Sequence, residues 1–128
     1  MTDQAAVLET NAAFYRAFEK KDLEAMAAVW SQGSASVCVH PGRDVLRGWE
    51  QVKTSWTGIF RNTKYLEIDT TVIKVEVTGS LAYVVLVETV LQVAGGRQNR
   101  ATSIATNIFE YMGDRWYLVH HHGSPVMS

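Results

Sequence analysis

A chain of 128 residues with 47% apolar side chains is sized for a single domain, residues 1–128, with a real buried core. Its 12 basic and 13 acidic residues are interspersed and leave a formal charge of -1, without the clustered cations of a nucleic-acid footprint, so no nucleic-acid partner is expected. The longest unbroken apolar run, Leu81 to Val87, is far too short to cross a bilayer, and Met1-Thr2-Asp3-Gln4 lacks the basic and apolar parts of a secretory signal; a cytoplasmic protein with no membrane partner is expected.

In chain order, Val7, Phe14 and Phe18 recur at helical spacing between Gln4 and Glu19, with Leu8 and Tyr15 beside them, and predict an amphipathic first helix. Asn11 falls on the same stripe, either as a satisfied core amide or as a polar group aimed into a cavity. Asp22 is an N-cap for a second helix through Val29, with Trp30 closing one end of the core. Ala35 to His40 alternates as a short strand, in which Cys38 reads as a small buried hydrophobe, and the strand ends at the turn His40-Pro41-Gly42. Arg43, Asp44 and Arg47 then form either a solvated rim or a mouth that recognises carboxylates. From Gly48 to Phe60 the helical period returns, with Trp49, Val52, Trp56, Ile59 and Phe60 on one face; the tryptophans either fill the core or wall an apolar ligand cavity.

After Asn62 the chain turns to β-branched and aromatic residues, with turn signals at Thr78-Gly79-Ser80, Gly95-Gly96 and Gly113-Asp114. Four strands are predicted, Tyr65–Val77, Leu81–Ala94, Gln98–Met112 and Arg115–His122. The first changes phase, which a bulge near Thr70-Thr71 would reconcile. Counting outward from two-residue hairpins sets Glu88 opposite Ser103, Leu86 opposite Ala105, which lies opposite His122, and Val84 opposite Asn107, which lies opposite His120. One sheet face then gathers Glu88, Asn107, Trp116, His120 and His122 among small residues that leave room above the sheet. The other face, with Val85, Val87, Leu91, Ile104, Ile108 and Val119, is apolar too, and predicts a homodimer through the outer sheet face. A slip of one residue would exchange the two faces.

Several motifs together carry a resemblance. Phe14-Tyr15-Arg16-Ala17-Phe18 with Lys21-Asp22-Leu23-Glu24 and Trp30, then His40-Pro41-Gly42, then Gly48-Trp49-Glu50-Gln51-Val52 with Trp56, resemble the SnoaL-like branch of the nuclear transport factor 2-like, or cystatin-like, superfamily. The ending from Trp116 to Ser124 is similar both to that branch and to the association domain of calcium/calmodulin-dependent protein kinase II. The resemblance covers nearly the whole chain. It implies an α+β cone, three N-terminal helices packed on a strongly bent mixed or antiparallel sheet. It does not imply a reaction, because the superfamily holds isomerases, cyclases, dehydratases, carriers and non-catalytic assembly modules. The steroid-isomerase branch uses a carboxylic base with a tyrosine and acid oxyanion pair, a set that does not map residue by residue onto this chain.

The expected pocket lies between helices and sheet, with Tyr15, Trp30, His40, Trp56, Asn107 and Trp116 lining it and Glu88, His120 and His122 as candidate catalytic residues. A histidine titrates near neutrality, and a carboxylate can orient it or act itself. His120 and His122 with Glu88 or His40 also suit a metal ion, but the spacing fixes no third ligand and no metal is expected. No nucleophile elbow, phosphate-cradling loop or dinucleotide fingerprint appears, and no cofactor is expected. The expected function is binding of a small apolar or amphipathic molecule, with metal-free acid/base chemistry of isomerase, cyclase or dehydratase type; the alternative is a non-catalytic association module.

Overall fold

The computed structural model describes residues 3–127. Helices α1 (Asp3–Lys20), α2 (Leu23–Val29) and α3 (Gly48–Asn62) lie against one face of a six-stranded sheet of β1 (Val37–Val39), β2 (Val45–Arg47), β3 (Tyr65–Thr78), β4 (Leu81–Ala94), β5 (Arg97–Met112) and β6 (Arg115–Pro125). The order is β2-β1-β6-β5-β4-β3, with every pairing antiparallel except β1 against β6. The sheet is therefore mixed, and it curls around the helices without closing. This is the α+β cone that the resemblance implied. The three helices and four long strands match the sequence pattern, whereas the segment after His40, expected as loop, contains β2, a three-residue strand paired only with β1. Among the described residues no helix is long and apolar enough to cross a membrane.

Local chemistry sets the helix ends. The last turn of α1 closes when the Lys21 and Asp22 amides donate to the Phe18 and Ala17 carbonyls (3.1 and 3.0 Å), with Lys21 itself in the left-handed region at φ 54. Asp22 then caps α2, its carboxylate accepting from the Ala25 amide at 3.0 Å. The Gln51 side chain reaches back to accept from the Arg47 amide at 2.9 Å, satisfying the start of α3. The buried stripe of α1 is Val7, Asn11, Phe14, Tyr15 and Ala17. Phe14 is the centre of the core, meeting the rings of Tyr15, Trp30 and Trp56 edge to face at 4.7, 6.3 and 5.7 Å.

The sheet register decides which side chains enter the cone. Across β4 and β5 it is the register counted from Gly95-Gly96: Glu88 faces Ser103, Leu86 faces Ala105 and Val84 faces Asn107. In β3 the phase does change, but at Ile73, three residues beyond Thr70, where the pairing slips between Val72 and Lys74. Between β5 and β6 a second bulge intervenes. Phe109 pairs with Leu118 and Ile108 with His120, so Val119 has no opposite residue and the phase of β6 reverses beyond it. Asn107 consequently faces His121, and Ala105 faces Gly123.

Candidate functional site

The reversal in β6 corrects the expectation for the histidines. His121 turns inward and is buried, whereas His120 is half-buried and His122 exposed on the outer face, their rings 5.9 Å apart. The uniform alternation assumed beyond Trp116 and Leu118 fails because Val119 takes up the extra residue. Three consecutive histidines gave no contrast by which to detect the slip.

Inside the cone, four elements contribute one polar chain. The His121 Nδ1–H donates to Asn107 Oδ1 (2.6 Å). Asn107 Nδ2 donates to Asn11 Oδ1 (2.9 Å) and to the Tyr15 hydroxyl oxygen (3.2 Å). The Tyr15 hydroxyl donates to Glu88 Oε2 (2.7 Å). Because the Asn107 amide nitrogen is committed to two acceptors, its oxygen faces the imidazole and the imidazole must supply the proton there. Neutral His121 then presents a bare Nε2. Each member is oriented by its neighbour, so the chain fixes both the imidazole tautomer and the carboxylate rotamer.

Burial sets the charge states. Glu88 is 2% exposed, and burial pushes its carboxyl above the usual carboxylate range, opposed by the Tyr15 hydrogen bond. Tyr15 is raised well above its ordinary value, by burial first and then by the Glu88 charge. His121 is held down to about 3, by burial first and then by His40, His120 and His122. His40 is held down to about 4, by burial and by the nearby Arg43 cation. At neutral pH both inner imidazoles are therefore uncharged. Cys38, fully buried, has its thiol pushed up to about 12 by burial and the Glu88 charge, which makes it an inert neighbour of His40 (Sγ to Nε2 3.7 Å).

A cavity of about 210 Å³ opens onto this chain. Glu88 and His121 lie on its wall together with His40 and Ser103, and Phe18, Ile59, Val90 and Ala101 supply apolar surface. Pro41, Arg43 and Gln92 complete it. Glu88 Oε1 has no hydrogen-bond partner among the described residues and faces this space. His40 is steadied by Ser55, its Nε2 lying 2.8 Å from the hydroxyl. Pro41 can descend onto β6 only because residue 123 is glycine, since a Cβ there would sit 2.8 Å from Pro41 Cγ.

Of the residues expected to line a pocket, Glu88 and His40 do so. Tyr15 and Asn107 lie behind the wall, within the polar chain. Trp30 and Trp56 are core, 1% and 0% exposed, with indole N–H groups that find no hydrogen-bond partner among the described residues. Trp116 belongs to a separate, wider groove of about 460 Å³ between α1, α2 and the start of β6, where no buried acid or base lies. The expectation of a tryptophan-lined cavity is thus corrected: indoles large enough to wall a cavity are instead consumed in packing around Phe14. Sequence reading missed His121, Ser55 and Ser103 as site residues. Asn11, on an apolar helical stripe, was the signal that a buried polar partner existed. Among the described residues, no group of three histidine, cysteine, aspartate or glutamate side chains is arranged to hold a metal ion.

The profile of the SnoaL-like domain matches residues 7–128. The chain belongs to the SnoaL-like family. A solved structure from Streptomyces avermitilis, assigned as a dehydratase of the nuclear transport factor 2-like family, is 36% identical, covers 99% of this chain and 98% of its own, and superposes with a TM-score of 0.92. Another from Thiobacillus denitrificans, assigned as a calcium/calmodulin-dependent protein kinase type II association domain, is 26% identical over 92% of this chain and 93% of its own, with a TM-score of 0.82. Among curated proteins, the F-box protein SKIP8 of Arabidopsis thaliana is 26% identical over 122 residues, 95% of this chain. This SnoaL-like chain spans 50% of that relative's length.

Proposed function

We propose that this SnoaL-like domain binds a small, mostly apolar molecule in its cone and moves a proton on it, with Glu88 as the general base and later the acid. The observation that carries this reading is a buried carboxylate with one oxygen held by Tyr15 and the other open to an apolar cavity. Such a carboxylate, destabilised by burial, is a stronger base than one in water. His121 Nε2, on the same wall, is a neutral acceptor that can orient a substrate hydroxyl. Isomerisation, aldol-type cyclisation and β-elimination of water from carbonyl compounds share this step, removal of a proton from carbon beside an activating group. The dehydratase assignment of the Streptomyces avermitilis structure agrees with it.

The test needs no natural substrate. Nitrobenzisoxazole loses its ring proton to a carboxylate, its N–O bond breaks, and a coloured cyano-nitrophenolate is released, so the rate reports a base in an apolar pocket. Glu88→Gln is expected to lower that rate about 100- to 10,000-fold. A wild-type rate no greater than that of acetate at equal concentration, or an unchanged rate in the variant, overturns the proposal.

We further propose that the chain functions as a homodimer through its outer sheet face. In the single chain Ile104 and Tyr83 are 41% and 39% exposed on β5 and β4, and a lone soluble domain rarely leaves an apolar sheet face uncovered. The association-domain assignment of the Thiobacillus denitrificans structure fits a pairing role as well, and a dimer with an inactive cavity is the second reading.

A further inference from the structure

We infer that the cavity takes a small carboxylic acid in its ionised form, with the carboxylate gripped by Arg43 at the mouth and the apolar body reaching inward to Glu88. This rests on reading the cavity as a substrate site and names the class of substrate. Arg43 follows the turn His40-Pro41-Gly42, which its own amide closes by donating to the His40 carbonyl at 2.9 Å. Its side chain lines the cavity while remaining exposed. Among the described residues the one ion pair is Lys74 with Glu76, so the Arg43 guanidinium has no carboxylate partner among them. A guanidinium offers a planar fork of donors that matches a carboxylate bidentately.

Arg43 is exposed at the rim whereas Glu88 is 2% exposed in the wall, so cation and acid differ in depth. Neutral His40 adds no second cation, and a lone guanidinium suits a monoanion better than a phosphate dianion. Phe18, Ile59, Val90 and Ala101 give the same cavity apolar surface for the body of the acid. The size is restrictive: a cavity of roughly 150 Å³ takes benzene, so 210 Å³ takes a single ring or short chain with its carboxylate at the rim.

The probes are phenylacetate and its uncharged counterpart phenylacetamide, titrated at neutral pH while the ring resonances of His40 and His121 are followed by NMR. Wild type is expected to bind phenylacetate roughly tenfold or more tightly than the amide. Arg43→Gln, an exposed substitution, is expected to abolish that preference and leave amide affinity unchanged, with Arg43→Lys intermediate. Equal affinities in wild type, or a preference that survives Arg43→Gln, overturn the inference while the moving resonances leave the cavity a binding site. If neither probe moves those resonances at millimolar concentration, the substrate-site reading falls with it.

Discussion

Asn107 is the residue on which the inner polar chain depends, because one side chain serves Asn11, Tyr15 and His121. Asn107→Leu keeps the volume but strands Asn11 and His121 and removes one of the two partners of Tyr15, and each unsatisfied buried group costs about 1–3 kcal/mol. We expect at least about 2 kcal/mol of lost stability in urea unfolding; a change within about 0.5 kcal/mol would mean the chain is not tightly held. The titrating groups give opposite pH signs. His121 has its folded value depressed from 6.5 to about 3, so its contribution is full above pH 6.5 and is lost as pH falls toward 3, when the unfolded chain binds the extra proton. Glu88 is raised in the fold, so ionising it as pH climbs past 4.5 costs stability. Glu88→Gln, which retains an acceptor for Tyr15, is therefore expected to melt at a higher temperature than wild type at pH 7 while losing activity. An equal or lower melting temperature would show that the buried charge is better solvated than its setting indicates. Asn11 was legible as a polar intruder on an apolar stripe, but its partner was not, since nothing local ties residue 11 to residue 107.

At the scale of elements, legibility followed the turns. Gly95-Gly96, both with positive φ (58 and 77), determines a two-residue hairpin, and the pairing from Leu81 with Glu110 to Ala94 with Arg97 runs unbroken from it. Bulges are where counting failed. The one at Ile73 betrayed itself because Leu66 and Ile68 differ in parity from Val75 and Val77, whereas the one at Val119 is followed only by histidines. The parallel pairing of β1 with β6, Cys38 beside His121, brings His40 to the cavity, and no local pattern announces such a distant pairing. Where β6 meets the turn at Pro41 the packing has no slack. Gly123→Ala places a methyl 2.8 Å from Pro41 Cγ, and we expect a loss of about 1–3 kcal/mol with weakened binding of phenylacetate as the rim is pushed outward. A variant that melts and binds as wild type does would show that the turn yields freely.

For the whole molecule, the helices cover one face of the curled sheet, and the other is the face through which pairing is proposed. A charge at its centre, Ile104→Glu, is expected to shift sedimentation from twice 14.3 kDa to a single chain or to unfold the protein, and a wild type that sediments as a single chain at micromolar concentration would overturn the pairing. The fold was legible because each level agreed, with amphipathic helices first, hairpins after and family motifs at the joints. The site was only half legible, because its chemistry is assembled from α1, β4, β5 and β6 and depends on one unpaired residue in β6. The proposed chemistry turns on Glu88 being a desolvated carboxylate open to the cone. Following its side-chain carboxyl carbon by NMR across a pH titration, with Glu88→Gln to assign the signal, tests this most directly. A midpoint above the ordinary 4.5 that moves when phenylacetate fills the cavity is expected, and one at or below 4.5, indifferent to the probe, would overturn the assignment of Glu88.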